Sequence, residues 1–272
     1  MSQNIRKASK TDWTASILVS LLVLVISGCN TRIEGCLQAN AENFDLNAEK
    51  PCDGCCTFPS MGLLLSQKWN ERNFANTDTL YDIHGVSYKI SDLRYFLTAW
   101  SWVDGEDVTY TVDSVNAECG SEVLSYTPDI LMIDTRQFTY TLGTIRQSPV
   151  MDSLFFTLGL VEDFSCLDPD AADTPESLTE SSPLWNPETQ QLETIRLVLQ
   201  RDITAEQLDT IYISGRLTGR IKNYLDLAPG IDGQMKLTVD YGQWFSDADV
   251  QNLASFSQSI LNHFQGSIFQ TP

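Results

Sequence analysis

The chain has 272 residues, 36 acidic against 17 basic, and a formal net charge of −19. So acidic a surface repels phosphate backbones and excludes nucleic acid as the natural partner. With 42% hydrophobic and 10% aromatic residues, it also excludes a disordered chain and leaves ample material for a packed core.

The first residues read as an export signal. Arg6, Lys7 and Lys10 form a positive head, and ASILVSLLVLVI, residues 15 to 26, is an apolar run of a dozen residues. Such a run is short for a membrane-spanning helix but suits a secretory core. It ends in Ile26-Ser27-Gly28-Cys29, small residues before a cysteine, which resembles a bacterial lipobox. The resemblance implies a signal peptide over residues 1–28, cleavage before Cys29, and lipidation of Cys29 as the membrane anchor. Acyl chains on one cysteine hold firmly, at about 0.8 kcal/mol per buried methylene. Residues 1–28 carry three positive charges and one negative, so their removal takes the net charge to −21. Asn30, rather than aspartate, follows Cys29. By resemblance to bacterial sorting rules this implies the outer membrane, within the cell envelope.

Six cysteines remain: Cys36, Cys52, Cys55, Cys56, Cys119 and Cys166. An exported chain meets an oxidising space, and an even count suits full pairing into disulfides. Spacing alone does not fix the pairing. The simplest arrangement is two bridges inside residues 36 to 56 and one between Cys119 and Cys166, with the neighbours Cys55 and Cys56 each reaching elsewhere. Zinc is the rival reading of the cluster. In the same segment Asn43, Asp45, Asn47 and Asp53 alternate oxygen donors of the kind that suit Ca²⁺, although Asx residues also build turns. The stretch GCLQANAENFDLNAEKPCDGCCTFP resembles a short cysteine module common in exported proteins of Bacteroidetes-type bacteria. Residues 29–59 are therefore set apart as a lipid-anchored, cysteine-rich module.

From residue 60 onward, short β patterns recur. GLLLSQKWN predicts a first strand, and DTLYDIHGVSYKISDLRYFLTAWSWVDG predicts strands joined by turns at His84-Gly85 and Asp104-Gly105. DVTYTVDSV, DILMID, SLFFTLGLV, ETIRLVLQ, DTIYISGRLTG and GQMKLTVDY add more. Residues 162 to 192 form a long polar loop with four prolines. Near the C-terminus Ser246 and Asp249 have the spacing of a capping box, and Val250, Leu253, Ile260, Leu261 and Phe264 recur at helical steps. They predict one amphipathic helix over residues 247 to 264, ended by Gly266. The predicted fold is mainly β: an antiparallel β-sandwich over residues 60–272 with one C-terminal amphipathic helix, after a small disulfide-rich N-terminal module.

Candidate chemistry is sparse. The two histidines, His84 and His263, lie in a turn and near a helix end, with no Gly-x-Ser-x-Gly elbow. If they meet in space they can bind a borderline metal such as copper. Trp100 and Trp102 are two apart on one strand face; exposed they would make a sugar-stacking platform, buried they are core, and core is the preferred reading.

Several segments, taken in order, resemble the MbnP-like family of exported β-rich proteins. They are GVSYKISDLRYFLTAW, SLFFTLGL before the long loop, Trp185 late in that loop, and GQMKLTVDYGQWF leading to the terminal helix and GSIF. The resemblance implies copper bound through histidines, a tryptophan oxidised by a dihaem peroxidase of the MbnH type, and hence Trp185 as the candidate oxidised residue. The expected function is non-enzymatic metal binding. A surface adhesion or glycan-binding module is the second class, and a hydrolase the third.

Overall fold

A computed structural model of the chain describes residues 32–104, 107–110, 115–127, 129–146, 150–162, 164–168, 174–226 and 228–271. The expected signal peptide and Cys29 lie outside the described residues.

The main strands are β1 (Ser60–Trp69), β2 (Ser87–Asp104), β3 (Val115–Cys119), β4 (Glu122–Tyr126), β5 (Leu131–Asp134) and β6 (Thr139–Thr144). They continue as β7 (Val150–Leu158), β8 (Ile195–Gln200), β9 (Asp209–Ile213), β10 (Leu217–Asp226), β11 (Gly233–Asp240) and β12 (Ile268–Gln270). Helices α1 (Tyr241–Trp244) and α2 (Ala254–Ser267) stand between β11 and β12.

Two sheets face each other. The larger has the order β9-β8-β2-β7-β10, with β5 and the short strands 80–81 and 107–110 also on β2, all antiparallel. The smaller has the order β6-β1-β11-β12. Alternation dictates which side chains turn inward. Met61, Leu63, Leu65 and Gln67 of β1 are buried while Gly62, Leu64 and Ser66 between them are half-buried. The shared core joins these to Leu93, Tyr95, Leu197 and Leu199 of the large sheet. Each such large side chain, once buried, contributes about 1.5–3 kcal/mol. One pairing departs from the expected antiparallel sandwich: β11 runs parallel to β1 over eight residues, Gly233–Asp240 against Met61–Lys68.

The terminal helix is shorter than its pattern predicts. It begins at Ala254, with Leu253 as an uncapped N-terminal boundary. Residues 246–253 are loop, because Ser255 Oγ accepts the N–H of Asp249 and donates to its carbonyl, folding that segment back on the first turn. Ser246 caps nothing among the described bonds. Phe256, Ile260 and Phe264 enter the core against Tyr88 and Phe156. Gly266 lies inside the helix; the chain turns extended at Ile268, which pairs with Val239.

The N-terminal module is small and stapled. Strands 34–35 and 50–51 pair in parallel, and the disulfides are Cys36–Cys56, Cys52–Cys55 and Cys119–Cys166. Sulfurs engaged in disulfides are not thiolate ligands, so the rival zinc reading does not describe this state.

A second, smaller core lies apart from the first. Phe96 and Phe164, with Ala117, Tyr126, Leu167, Leu178 and Leu184, bind the β3–β4 hairpin and the stretches 164–168 and 174–184 to the large sheet. The long loop thus carries structure of its own: a turn of 3-10 helix at Glu176–Leu178 and a two-stranded pair, 185–186 with 191–192.

Candidate functional site

Both histidines come to one loop. The turn that carries His84 is fixed by Asp82, a buried carboxylate. Its Oδ1 accepts the N–H groups of His84 and Val86, each at 2.8 Å, and its Oδ2 accepts Val250 N–H at 3.2 Å. Ile83 N–H donates to Ala248 O at 3.2 Å. These bonds dock the 82–86 turn on the 246–253 loop. Ala248 is fully buried, while Asp247 on one side of it is exposed and Asp249 on the other is half-buried. His84 Nε2 then lies 3.8 Å from Asp249 Oδ2, and His263 Nε2 lies 3.5 Å from Asp247 Oδ2.

The His263 pair has a defined chemistry. Its Nδ1 is 2.9 Å from the carbonyl oxygen of Ser259. A carbonyl only accepts, so Nδ1 carries the hydrogen. In the neutral ring Nε2 is then a bare lone pair aimed at a carboxylate oxygen. Two acceptors face each other at 3.5 Å, beyond ordinary hydrogen-bond distance. A cation between them relieves this. Two donors on one tetrahedral ion, at bond lengths of about 2.0–2.1 Å, lie about 3.3 Å apart. Holding one ring nitrogen on a backbone carbonyl while the other faces outward is also how metal-ligating histidines are oriented. Asp247 and Asp249 escaped the sequence reading, where they passed as part of a helix cap. Their alternation around a small apolar residue, in a chain with two histidines, was the available signal.

The two pairs stay separate. Among the described residues, the one group of three close His, Cys, Asp or Glu donors is Cys52, Cys55 and Cys56. The imidazoles therefore share a loop, and each brings one carboxylate rather than a finished coordination shell.

The other predicted residues are placed as follows. Trp100 and Trp102 are buried in the main core, Trp100 stacked on Phe156, so the sugar-stacking platform does not exist. Trp185 is half-buried in the short pair 185–186/191–192, opposite Leu192. Asn43 accepts Thr57 N–H at 3.0 Å and donates to Cys55 O at 2.7 Å, and Asp45 accepts Asn47 N–H at 2.8 Å. These oxygens thus fold the module's turns. Asp53 is exposed beside Gly54.

Two further polar sites are satisfied from within. Cavities of about 210 and 240 Å³ flank Phe164, lined in turn by Glu193 and Asp129. Glu193 accepts from Asn186, Thr189 and Ser214, and Asp129 from Trp100 N–H and Thr127. On the outer face of β2, Asp92 and Asp134 stand between Arg94, Arg136 and Arg196. The hydrogen bond from Arg136 holds the Asp134 carboxyl below the usual aspartate range.

No protein-family model matches the chain, and no curated sequence is similar to it at a significant level. Among solved structures it is similar to MbnP from Methylosinus trichosporium, at 11% identity, over 70% of this chain and 78% of that one, with a TM-score of 0.44.

Proposed function

We propose that this is a lipid-anchored protein of the cell envelope that binds a transition-metal ion without catalysing a reaction. The metal binds at the 246–253 loop, with His263 and Asp247 as its ligands; His84 and Asp249 form a separate pair on the same loop. The observation that carries the reading is the contact of His263 Nδ1 with Ser259 O, which in the neutral ring leaves Nε2 as an acceptor 3.5 Å from the Asp247 carboxylate. Imidazole nitrogen suits copper and zinc alike. The family resemblance of the quoted segments selects copper. Three disulfides suit residence in an oxidising space, as export requires.

Dialysis of the purified full chain against Cu(II), followed by metal analysis, tests this. About one ion per chain is expected. His263→Ala and Asp247→Asn should each weaken binding by about tenfold or more. Acidification should release the ion, since metal ligands must be deprotonated to bind. No uptake of Cu(II) or Cu(I), or uptake unaffected by both substitutions, overturns the reading.

A further inference from the structure

The three sulfurs gathered by the Pro51-Cys52-Asp53-Gly54-Cys55-Cys56 motif belong to two different disulfides. Cys52 is bonded to Cys55 and Cys56 to Cys36, yet the Sγ atoms of Cys52, Cys55 and Cys56 all lie within 4.8 Å of one another. The fourth sulfur, Cys36 Sγ, is one 2.03 Å bond beyond Cys56. The two bridges differ in access. In Cys52–Cys55 one residue is half-buried and the other exposed, whereas in Cys36–Cys56 one is 1% exposed and the other half-buried. Cys52 and Cys56, one from each bridge, line an open cavity of about 560 Å³ between the module and the sandwich. Arg146, whose guanidinium sits 5.3 Å from the centre of the Phe58 ring, is the charged side chain of that cavity. Gly54, at φ +65°, closes the Cys52–Cys55 loop with open space where a side chain would stand.

We propose that this cluster is a redox-gated site for a soft metal ion. An external dithiol supplies the electrons. Its thiolate bonds to one sulfur of Cys52–Cys55, and the electron pair of the broken S–S bond leaves on the other sulfur. The second thiol of the reductant then displaces the first protein sulfur and becomes part of the reductant's own disulfide. Two electrons and two protons have passed to Cys52 and Cys55. A thiolate so released lies beside Cys56 and exchanges into the Cys36–Cys56 bridge, and a second dithiol completes the reduction. Metal binding releases the thiol protons. Two sulfurs on one tetrahedral ion, with bonds of about 2.3 Å, lie about 3.8 Å apart, a separation inside the 4.8 Å span of this cluster. Thiolate donors select soft or borderline ions such as Cu⁺, Zn²⁺ or Cd²⁺. In the oxidised state the same sulfurs carry no charge and the site is shut.

Cd²⁺ is the probe. The full chain, treated with a dithiol and then freed of it without air, should bind about one Cd²⁺ with thiolate-to-metal charge-transfer absorbance, and the untreated protein should bind none at these sulfurs. A Cys52→Ser/Cys55→Ser variant should bind at least about tenfold more weakly. Cys119→Ser/Cys166→Ser and His263→Ala should leave the absorbance unchanged, which separates this site from the histidine loop. Alkylation during graded reduction gives a second readout: Cys52 and Cys55 should label first. The proposal is overturned if the reduced chain shows no thiolate–Cd²⁺ band, if the Cys52→Ser/Cys55→Ser variant binds as the parent does, or if Cys119 and Cys166 label before Cys52 and Cys55.

Discussion

Asp82 is the residue on which the histidine loop hangs. Burial alone would raise its carboxyl pKa, but three backbone donors and the neighbouring His84 outweigh burial and hold it below the ordinary value of 3.8. A group with a depressed folded value stabilises the fold above its unfolded pKa, and that contribution is lost as pH falls through the folded one. Asp82→Ala leaves three N–H groups without their acceptor and should cost about 2–3 kcal/mol, read as a lower urea midpoint near neutral pH. The gap between parent and variant should narrow below about pH 4, because the parent carboxyl is then being protonated. A gap that stays constant from neutral pH to the acid limit would refute the assignment. The same substitution should weaken the proposed metal uptake, since it unties the loop that carries Asp247 from the 82–86 turn.

Strand β2 shows what an element must do to serve two sets of partners. Its first half pairs with β8 and its second with β7, on the same side, and the two partners meet at Phe96, which donates to Thr194 O and accepts from Gly159 N. Gly159 at this seam has φ +104° and no room for a side chain, with Gly215 O 2.7 Å from where a Cβ would be. Just beyond, the register against β7 shifts, and Ala99 takes φ +53°. A left-handed alanine costs about 1–2 kcal/mol, and glycine recovers it against about 0.5–1 kcal/mol of chain entropy. Ala99→Gly should therefore raise stability by about 0.5–1 kcal/mol in equilibrium unfolding, and a loss instead would show that Ala99 packing outweighs the strain. Nothing in the residues around Ala99 announces this bulge, because the strand's alternation is only partial and no glycine stands there. By contrast β1 and β11 were legible: Met61, Leu63 and Leu65, and Met235, Leu237 and Val239, fall on one face at period two. That β11 lies parallel to β1 was not legible, since partners some 170 positions apart leave no local mark. The helix start was misread for a local reason. Ser246 and Asp249 have the spacing of a cap, but Ser255 captures Asp249 first.

At the scale of the whole molecule, the chain folds around two unequal cores, and only the larger is continuous with the histidine loop. The main core includes Val250 and Ala248 of that loop and Phe256, Ile260 and Phe264 of α2. The smaller core, around Phe96 and Phe164, holds a hairpin and a long segment whose sequence reads as polar loop; scattered Phe164, Leu167, Leu178 and Leu184 gave no period to recognise. Its staple is Cys119–Cys166, which spans 47 residues. In the chain-entropy account a loop of that size stabilises by about 4 kcal/mol. A Cys119→Ser/Cys166→Ser variant should therefore open this layer ahead of the sandwich: amides of β3, β4 and the 176–192 region should exchange quickly with solvent, while those of β1, β2 and β11 keep their protection. The metal uptake proposed for the histidine loop should persist, because the anchors of that loop belong to the other core. Loss of protection in β1 and β11 together with the hairpin would show instead that the two cores unfold as one cooperative unit.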